Sequence, residues 1–475
     1  MTTRCLARMR PILAVFFLAG CAIGPNYKQP AVETPVAFRD QASGSNHSFA
    51  DVAWWDVYQD DRLKALIRAA LVDGYDARIA AARVEESRAI AAQVHGQLFP
   101  AIGYDANADR GRNAILGSPN VQGAGSTTNG FDGYLGAAWE FDLWGRVRRL
   151  NEQARSQYLA TEEARRGVLL SLVSQVATDY FELLELDEEL AIAHEETGSF
   201  GDSLKLFNQR LAGGIVSKLE TSSAEAAMDM SAARVPALEQ QIAIKENEIS
   251  VLIGRNPGSI VRGARLSEQA MPPEVPAGLP SQLLERRPDI REAEENVRAA
   301  NAGIGVTVGG FLPRIGLSAL IGGVSPQLET ITSRPAALWS VGAQATGPLF
   351  QGGGLRGQYR EAKEAWEEAR LQYRQTALNA FAEVADALVS RQKLAEVRVQ
   401  QEHAVRAFQD AVNISMQRYS SGNASYYEVL QSQQQLFPAE VALAQTRRDE
   451  FTAIIQLYQA LGGGWNLKDS TAWVR

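Results

Sequence analysis

Thiols and imidazoles are scarce in this chain: two cysteines and four histidines among 475 residues. His47, His95, His194 and His403 lie far apart, which offers no ligand set for a metal. Neither H-E-x-x-H nor the phosphate-cradling G-x-x-x-x-G-K-[ST] occurs. Cys21 is the one cysteine with a chemical context. Arg4, Arg8 and Arg10 precede an apolar run at 12–19, and Leu18-Ala19-Gly20-Cys21 closes it as a lipobox. The expected chemistry is removal of a signal peptide, 1–20, and attachment of lipid to the Cys21 thiol and the new amino terminus. Cys5 leaves with the signal, so the mature chain is expected to carry neither a disulfide nor a cysteine metal site. No cofactor is expected beyond that covalent lipid, and no nucleophile stands beside a general base. Arg286, Arg287 and Asp289 read as residues that pin a helix.

The remaining polar groups of interest fall where the chain turns or alternates. Arg210, Lys218 and Glu220 flank a glycine-marked break at 209–222; Arg418, Tyr419, Glu428 and Gln431 flank another at 417–431. Such side chains make hydrogen bonds and ion pairs weak enough to break. Asp105, Asn107 and Asp109 alternate with Ile102, Tyr104, Ala106 and Ala108.

These positions are set by a chain that repeats itself. Residues 138–254 return, altered, at 346–462 with an offset of 208, so that Ala154 falls on Ala362, Val176 on Val384, QRLAGG on QRYSSG and LIG on ALG. FPAIG (99–103) precedes the first copy and LPRIG (312–316) the second. Apolar or small residues from Tyr359 to Leu388 step by three and four, and no proline interrupts 120–235 or 349–437. Long helices are expected over 146–208, 217–253, 355–419 and 425–461, with kinks at Pro236 and Pro438. A tether occupies 21–50, N-terminal helices 51–98 (one helix running on to about residue 94), a first hairpin 99–143 and a first helical section 144–254. A linker with a helix at 289–306 fills 255–310, followed by a second hairpin, 311–350, a second helical section, 351–462, and a tail, 463–475.

In 134–141, Leu135, Ala137, Trp139 and Phe141 share a face; Ile315, Leu317, Ala319 and Ile321 do so in the second half, as do Trp339, Val341, Ala343 and Ala345. These are the lengths and the alternation of strands that cross a membrane, Trp139 and Trp339 facing lipid and Asp105, Asn107 and Asp109 facing a lumen. Four strands cannot close a barrel, and an open sheet edge cannot sit in lipid. Two chains would give eight strands and a narrow, filled interior, and three would give twelve and a conduit. The fold class expected is therefore a mixed α/β membrane protein, a trimeric channel with a shared barrel continued by long helices. A net charge of −8 carries no basic excess that would point to nucleic acid.

The mature sequence resembles the outer-membrane efflux protein family, the lipid-anchored exit ducts of tripartite drug pumps. The resemblance rests on the lipobox, PNYKQP at 25–30, W-x-x-x-x-D-x-x-L across 55–63, FDLWGRVR at 141–148, ERRPDIREAE at 285–294, LPRIG at 312–316 and RYSSGNASYYEVLQSQQQLF at 418–437. It implies a homotrimer in outer-membrane lipid with a helical barrel crossing the periplasm, a periplasmic adaptor and a proton-driven inner-membrane pump as partners, and no enzymatic activity. Ala22 after the cysteine is similar to the export signal of outer-membrane lipoproteins. By the same resemblance the turns at 209–222 and 417–431 form a periplasmic gate. Where family members carry D-V-L-D, this chain has Glu428-Val429-Leu430-Gln431, which leaves one acid and one amide in the ring. Arg418, Tyr419, Arg210, Lys218 and Glu220 are its latch candidates. The cargo implied is drugs and other small amphipathic compounds; alternatives are a secreted protein or peptide, a metal ion, or no cargo at all in a structural lipoprotein or adhesin.

Overall fold

The structure, a computed structural model, describes residues 22–38, 57–112, 127–271 and 280–463. Cys21, the loop at 113–126 and the tail from 464 lie outside the described residues. In chain order the elements are α1 (Asp61–Asp73), α2 (Tyr75–Gly96), β1 (Ala101–Arg112), β2 (Thr127–Phe141), α3 (Arg146–Ala212) and α4 (Lys218–Leu252). There follow α5 (Pro280–Arg286), α6 (Pro288–Gly309), β3 (Arg314–Ser325), β4 (Ala337–Thr346), α7 (Gly354–Ser420) and α8 (Tyr426–Ala460). The chain forms two compact units. One gathers its described residues from 1–30, 84–161 and 292–373, the other from 31–83, 162–291 and 374–475.

The first unit holds one antiparallel sheet in the order β1-β2-β3-β4. Directly paired residues share a face, so the register sorts the side chains into two sets. Tyr104 pairs with Leu135, Leu135 with Ile321, and Ile321 with Trp339, which makes one continuous apolar face. Asn107 pairs with Asp132 and Asp105 with Tyr134, while Leu320 pairs with Ser340 and Gly316 with Gln344, on the opposite, mostly polar face. The large apolar side chains of the first face, Ile102, Tyr104, Ile321, Trp339 and Val341, are exposed. β1 and β4 each pair on one side only. The junction of β2 and α3 explains FDLWGRVR. The Asp142 carboxylate accepts the N–H groups of Val147 and Arg148 at 3.1 and 2.9 Å, satisfying free donors of the first turn of α3. Arg146 binds Glu140 through two hydrogen bonds, 3.0 and 2.8 Å. PNYKQP is a strap across the same unit. The Arg149 guanidinium donates to the Ile23 carbonyl at 3.1 Å and to Asn26 Oδ1 at 2.8 Å, Asn301 donates to the Pro25 carbonyl at 2.9 Å, and the Tyr27 hydroxyl donates to Glu294 at 3.0 Å.

The second unit is helical. Its side-chain bridges give the order α4-α3-α8-α7. Arg234 reaches Glu196 at 3.0 Å, Phe181 stacks on Phe451 at 4.3 Å, Gln445 donates to Glu189 at 2.8 Å, and Arg398 pairs with Glu450 at 2.8 Å. A single core of Leu, Val, Ile and aromatic residues runs through all four. One window of α3 is apolar enough to cross a membrane, yet 67% of it is buried inside this chain, so core packing accounts for its composition. At its 67 residues, α3 extends roughly 100 Å. Pro236 and Pro438 sit inside unbroken helices.

The offset of 208 carries over to every boundary of the four long helices. α3 and α7 are both 67 residues long, α4 and α8 both 35, and each terminus of α7 and α8 is the image of one of α3 and α4. The N-terminal helix expected to run unbroken to about residue 94 is instead split. Asp60 caps α1, accepting the N–H groups of Arg62 and Leu63, and Gly74 separates α1 from α2. A Cβ at Gly74 would lie 2.8 Å from the Leu252 carbonyl oxygen, so the break is a close backbone crossing with the end of α4. Arg287, in ERRPDIREAE, is buried and binds the last carbonyl of α8, that of Ala460, at 2.8 Å, with Glu383 at 2.7 Å and Asp289 at 2.6 Å. It closes a helix C-terminus with positive charge, a pinning role.

Candidate functional site: the paired helical turns

Each break between long helices is the same backbone device. The Ile215 N–H bonds the Arg210 carbonyl at 2.9 Å and the Gly214 N–H bonds that of Leu211 at 2.9 Å. In the image turn the Asn423 N–H bonds the Arg418 carbonyl at 2.9 Å and the Gly422 N–H bonds that of Tyr419 at 3.1 Å. Gly214 and Gly422 adopt φ of +68° and +75°, the left-handed conformation this helix-ending motif requires. Ser217 and Ser425 are the N-caps that restart the chain as α4 and α8.

The side chains are less alike than the backbones. Phe207, Tyr419 and Tyr426 form an edge-on aromatic cluster, with Phe207 and Tyr426 centroids 4.2 Å apart and Tyr419 6.0 Å from both. Ala224 and Val429 complete it. The Arg210 guanidinium lies 4.6 Å from the Tyr419 ring centroid, a cation–π contact between the two halves of the chain. Tyr419 is buried, and its hydroxyl finds no hydrogen-bond partner among the described residues. Its contribution is therefore the ring. Arg418 and Glu428 make an ion pair at 3.6 Å between α7 and α8, both side chains about half exposed. Glu220 is held in its own helix cap, where hydrogen bonds from Ser217 lower its carboxyl pKa. Lys218 forms no ion pair among the described residues, and Gln431 is exposed.

The structure thus brings Arg210 to Tyr419 and Arg418 to Glu428, and leaves Lys218 and Gln431 outside the cluster. Phe207 and Tyr426, the other two rings, escaped the sequence reading, although both flank the same breaks. The S-x-x-E spacing of Ser217–Glu220 and Ser425–Glu428 is a signal that points to both helix starts, and the first of the two forms a capping box. On the sheet, Asp105, Asn107 and Asp109 do share the polar face, and Asn107 donates to Asp109 at 2.6 Å. Asp132 and Tyr134 join them there. Glycines at 130, 133 and 136 thin out the alternation of that strand and hid both residues.

Above these turns α3 and α8 bury carboxylates against one another. Glu185 has its pKa pushed up to about 8, first by burial and then by the hydrogen bond and charge of Glu189, with Arg448 3.7 Å away pulling it back. Glu440 is pushed up to about 7 by burial and by Glu195 and Glu196.

The pattern of the outer membrane efflux protein family matches residues 66–255 and 279–463, one block in each half of the repeat. The chain is similar to the toluene efflux pump outer membrane protein TtgC of Pseudomonas putida, 33% identical over 461 residues, covering 95% of this chain and 94% of that one. It is similar to the cation efflux system protein CusC of Escherichia coli, 30% identical over 461 residues, covering 96% and 99%. The solved MtrE outer membrane channel of Neisseria gonorrhoeae, described as an open state, superposes with a TM-score of 0.84 at 28% identity, covering 94% and 98%. The chain belongs to the outer membrane efflux protein family; it is an outer-membrane channel protein of the kind through which efflux systems discharge, and its work is transport, not catalysis.

Proposed function

We propose that three copies of this chain close one tube, which passes drugs and other small amphipathic compounds to the exterior. The two hairpins, 99–143 and 311–350, are its wall in the membrane, and the helical sections, 144–254 and 351–462, its continuation through the periplasm. A proton-driven inner-membrane pump supplies the cargo through a periplasmic adaptor, since nothing in the described chain couples an energy source. Lipid on Cys21 anchors each copy. The observation that carries this reading is the sheet. It has one apolar face, one mostly polar face and two unpaired edges, and in lipid such edges must be paired by further copies. Facing inward, Asp105, Asn107 and Asp109 then line an aqueous lumen.

The helices support closure independently. Within the chain α8 packs on α3, the second helix of one repeat on the first helix of the other. Repeated once more, that rule seats α4 of one copy on α7 of the next. The surfaces concerned suit such a contact. Leu170 on α3 is 4% exposed, whereas its image on α7, Leu378, is 62% exposed. Met230, Ile244 and Val251 fall on one heptad line of α4 and are likewise exposed. Three copies continue this order around a ring of twelve helices.

Toluene and cations are the cargoes named for two relatives of this chain. The small amphipathic class is favoured by the similarity to outer membrane proteins named for antibiotic and toluene efflux. Intracellular accumulation of a fluorescent efflux dye tests it. Accumulation should rise when the gene is deleted and fall when it is restored. No change in dye, with lost tolerance to metal cations or a lost secreted protein, would move the cargo to those classes.

A further inference from the structure

Away from the turns, a cavity of about 440 Å³ lies between α3 and α8 inside the helical unit, with residues 262–265 of the linker in its wall. That is the volume of a small-molecule site. Its floor is apolar: Leu184 of α3 with Leu443 and Ala444 of α8, all buried, flanked by Ile192 of α3 and Val405 of α7. Phe181 on Phe451, Glu189 on Gln445 and Phe200 on Phe437 set the two helices antiparallel. Glu195 and Glu440 therefore share one end of the cavity, and Asp187, Arg447 and the linker share the other, roughly 12 Å along the helices. At the linker end the charges are largely matched. Arg262 binds Asp187 at 2.9 Å and also reaches Glu246, Arg447 lies 3.6 Å from Glu402, and Glu188 accepts the Ser267 hydroxyl at 3.3 Å. Glu195 and Glu440 form no ion pair among the described residues, and neither does Arg265.

We propose that this cavity is a binding site for a small organic cation with an apolar body, its charged head between Glu195 and Glu440 and its body along Leu184 and Leu443. The fold does not require the two acids. Under the offset of 208 their images are His403 and Ala232, on helices of the same lengths. Carboxylates crowded together beside an apolar surface disfavour one another's charge, and a bound cation removes that cost. A second positive charge at the far end would meet Arg265, so the site suits a monocation. The site belongs to one unit of one chain and does not rest on the duct reading. In the ring described above copies meet through α4 and α7, whereas the cavity lies chiefly on α3 and α8, the inner pair. Glu440 supplies a signature. Burial, with Glu195 and Glu196 of α3 beside it, pushes its pKa up to about 7. Glu196 is held by Arg234 of α4 at 3.0 Å, while Arg447, Arg262 and Arg265 stand at the other end. A cation prefers the ionised carboxylate, so affinity should rise by about tenfold from pH 6 to pH 8.

Ethidium, an aromatic monocation, is the probe, titrated by fluorescence anisotropy into the full lipidated protein in nanodiscs of phosphatidylcholine. The parent should bind it saturably. Glu440→Gln should weaken binding by about tenfold at pH 8 and flatten its pH dependence, since the amide neither ionises nor pairs with a cation. Glu195→Gln, at an exposed position, should weaken it severalfold and keep the pH dependence. Ala191 is exposed and lines the cavity, so Ala191→Trp should fill it from the rim and abolish binding with thermal melting unchanged. The absence of saturable binding to the parent overturns the site. So does binding that survives Ala191→Trp, because the dye then sits elsewhere on the protein. Binding that Ala191→Trp abolishes, but that neither Glu→Gln variant nor pH alters, overturns the cationic class.

Discussion

Val397 occupies on α7 the place that Glu189 occupies on α3, and Ala237 occupies on α4 the place of Gln445 on α8. Inside the chain, Gln445 Nε2 donates to Glu189 Oε1 at 2.8 Å, and Glu189 is only 8% exposed. If α4 of one copy seats on α7 of the next as α8 seats on α3, then Ala237 faces Val397 across the interface. Val397→Glu would bury a carboxylate at each of three contacts. Lys393, one turn away, is already held by Glu396 at 2.9 Å and is poorly placed to rescue it. A buried acceptor left without a donor costs about 1–3 kcal/mol, which over three contacts reaches several kcal/mol per assembly. Adding Ala237→Gln supplies the amide donor that Gln445 supplies within the chain. A hydrogen bond to a charged group is worth about 1.5–3 kcal/mol, so the double variant should regain most of the loss. The assay is the fraction of trimer across a dilution series in detergent, by light scattering, for the parent, both single variants and the double. Trimer unaffected by Val397→Glu, or a double variant no better than Val397→Glu alone, would refute the pairing of α4 with α7.

Three further outcomes are expected. On the sheet, Ile321→Arg places a charge on the apolar face and should cost about 2–4 kcal/mol near the middle of the bilayer, lowering the folded outer-membrane fraction in a heat-modifiability gel, whereas Asp105→Asn on the polar face should leave it unchanged. Glu185, with its pKa pushed up to about 8, binds its proton more tightly folded than unfolded; stability should therefore fall as pH rises from about 5 to 8, by at most about 1.4 kcal/mol per pH unit, and thermal melting of Glu185→Gln should show a flatter dependence. At the paired turns Tyr419→Phe should leave melting and conductance as they were, since its hydroxyl has no partner among the described residues, while Tyr419→Ala removes the platform of Arg210 and should cost about 3–5 kcal/mol in a denaturant titration.

The helical frame was legible in the sequence because its signals are local. Steps of three and four and the glycine breaks placed all four long helices, with the absence of proline helping for α3 and α7 only, and the ends moved by no more than one turn. Gly213-Gly214 marked the first break, but the helix runs to Ala212 because Gly214 supplies the left-handed residue beyond its end. What depends on distant residues was not legible. Gly74 reads as a tolerable residue in a long helix until Leu252 crosses it. Arg287 reads as a cap for the helix that follows it, and it does bind Asp289, yet its other partners are Glu383 and the Ala460 carbonyl at the far end of the chain. At the turns the residue types pointed to the right place, while the partners did not follow from them. Arg210 has an acid, Glu220, close by in sequence and chooses a tyrosine in the other half.

The duplication explains why that choice matters. Where image residues differ in burial but not in type, as Leu170 and Leu378 do, a ring of copies would supply the missing cover. Wherever images differ in type, the difference survives in the closed ring and breaks its apparent sixfold repeat into a threefold one. Leu211 and Tyr419 are such a pair, and they stand at the turns. In a ring of three copies, three hairpins would carry a capped Glu220, and three, alternating with them, an uncapped Glu428 tied to Arg418. In such a ring the two kinds of turn alternate, one with its carboxylate in a helix cap and one with it on an arginine.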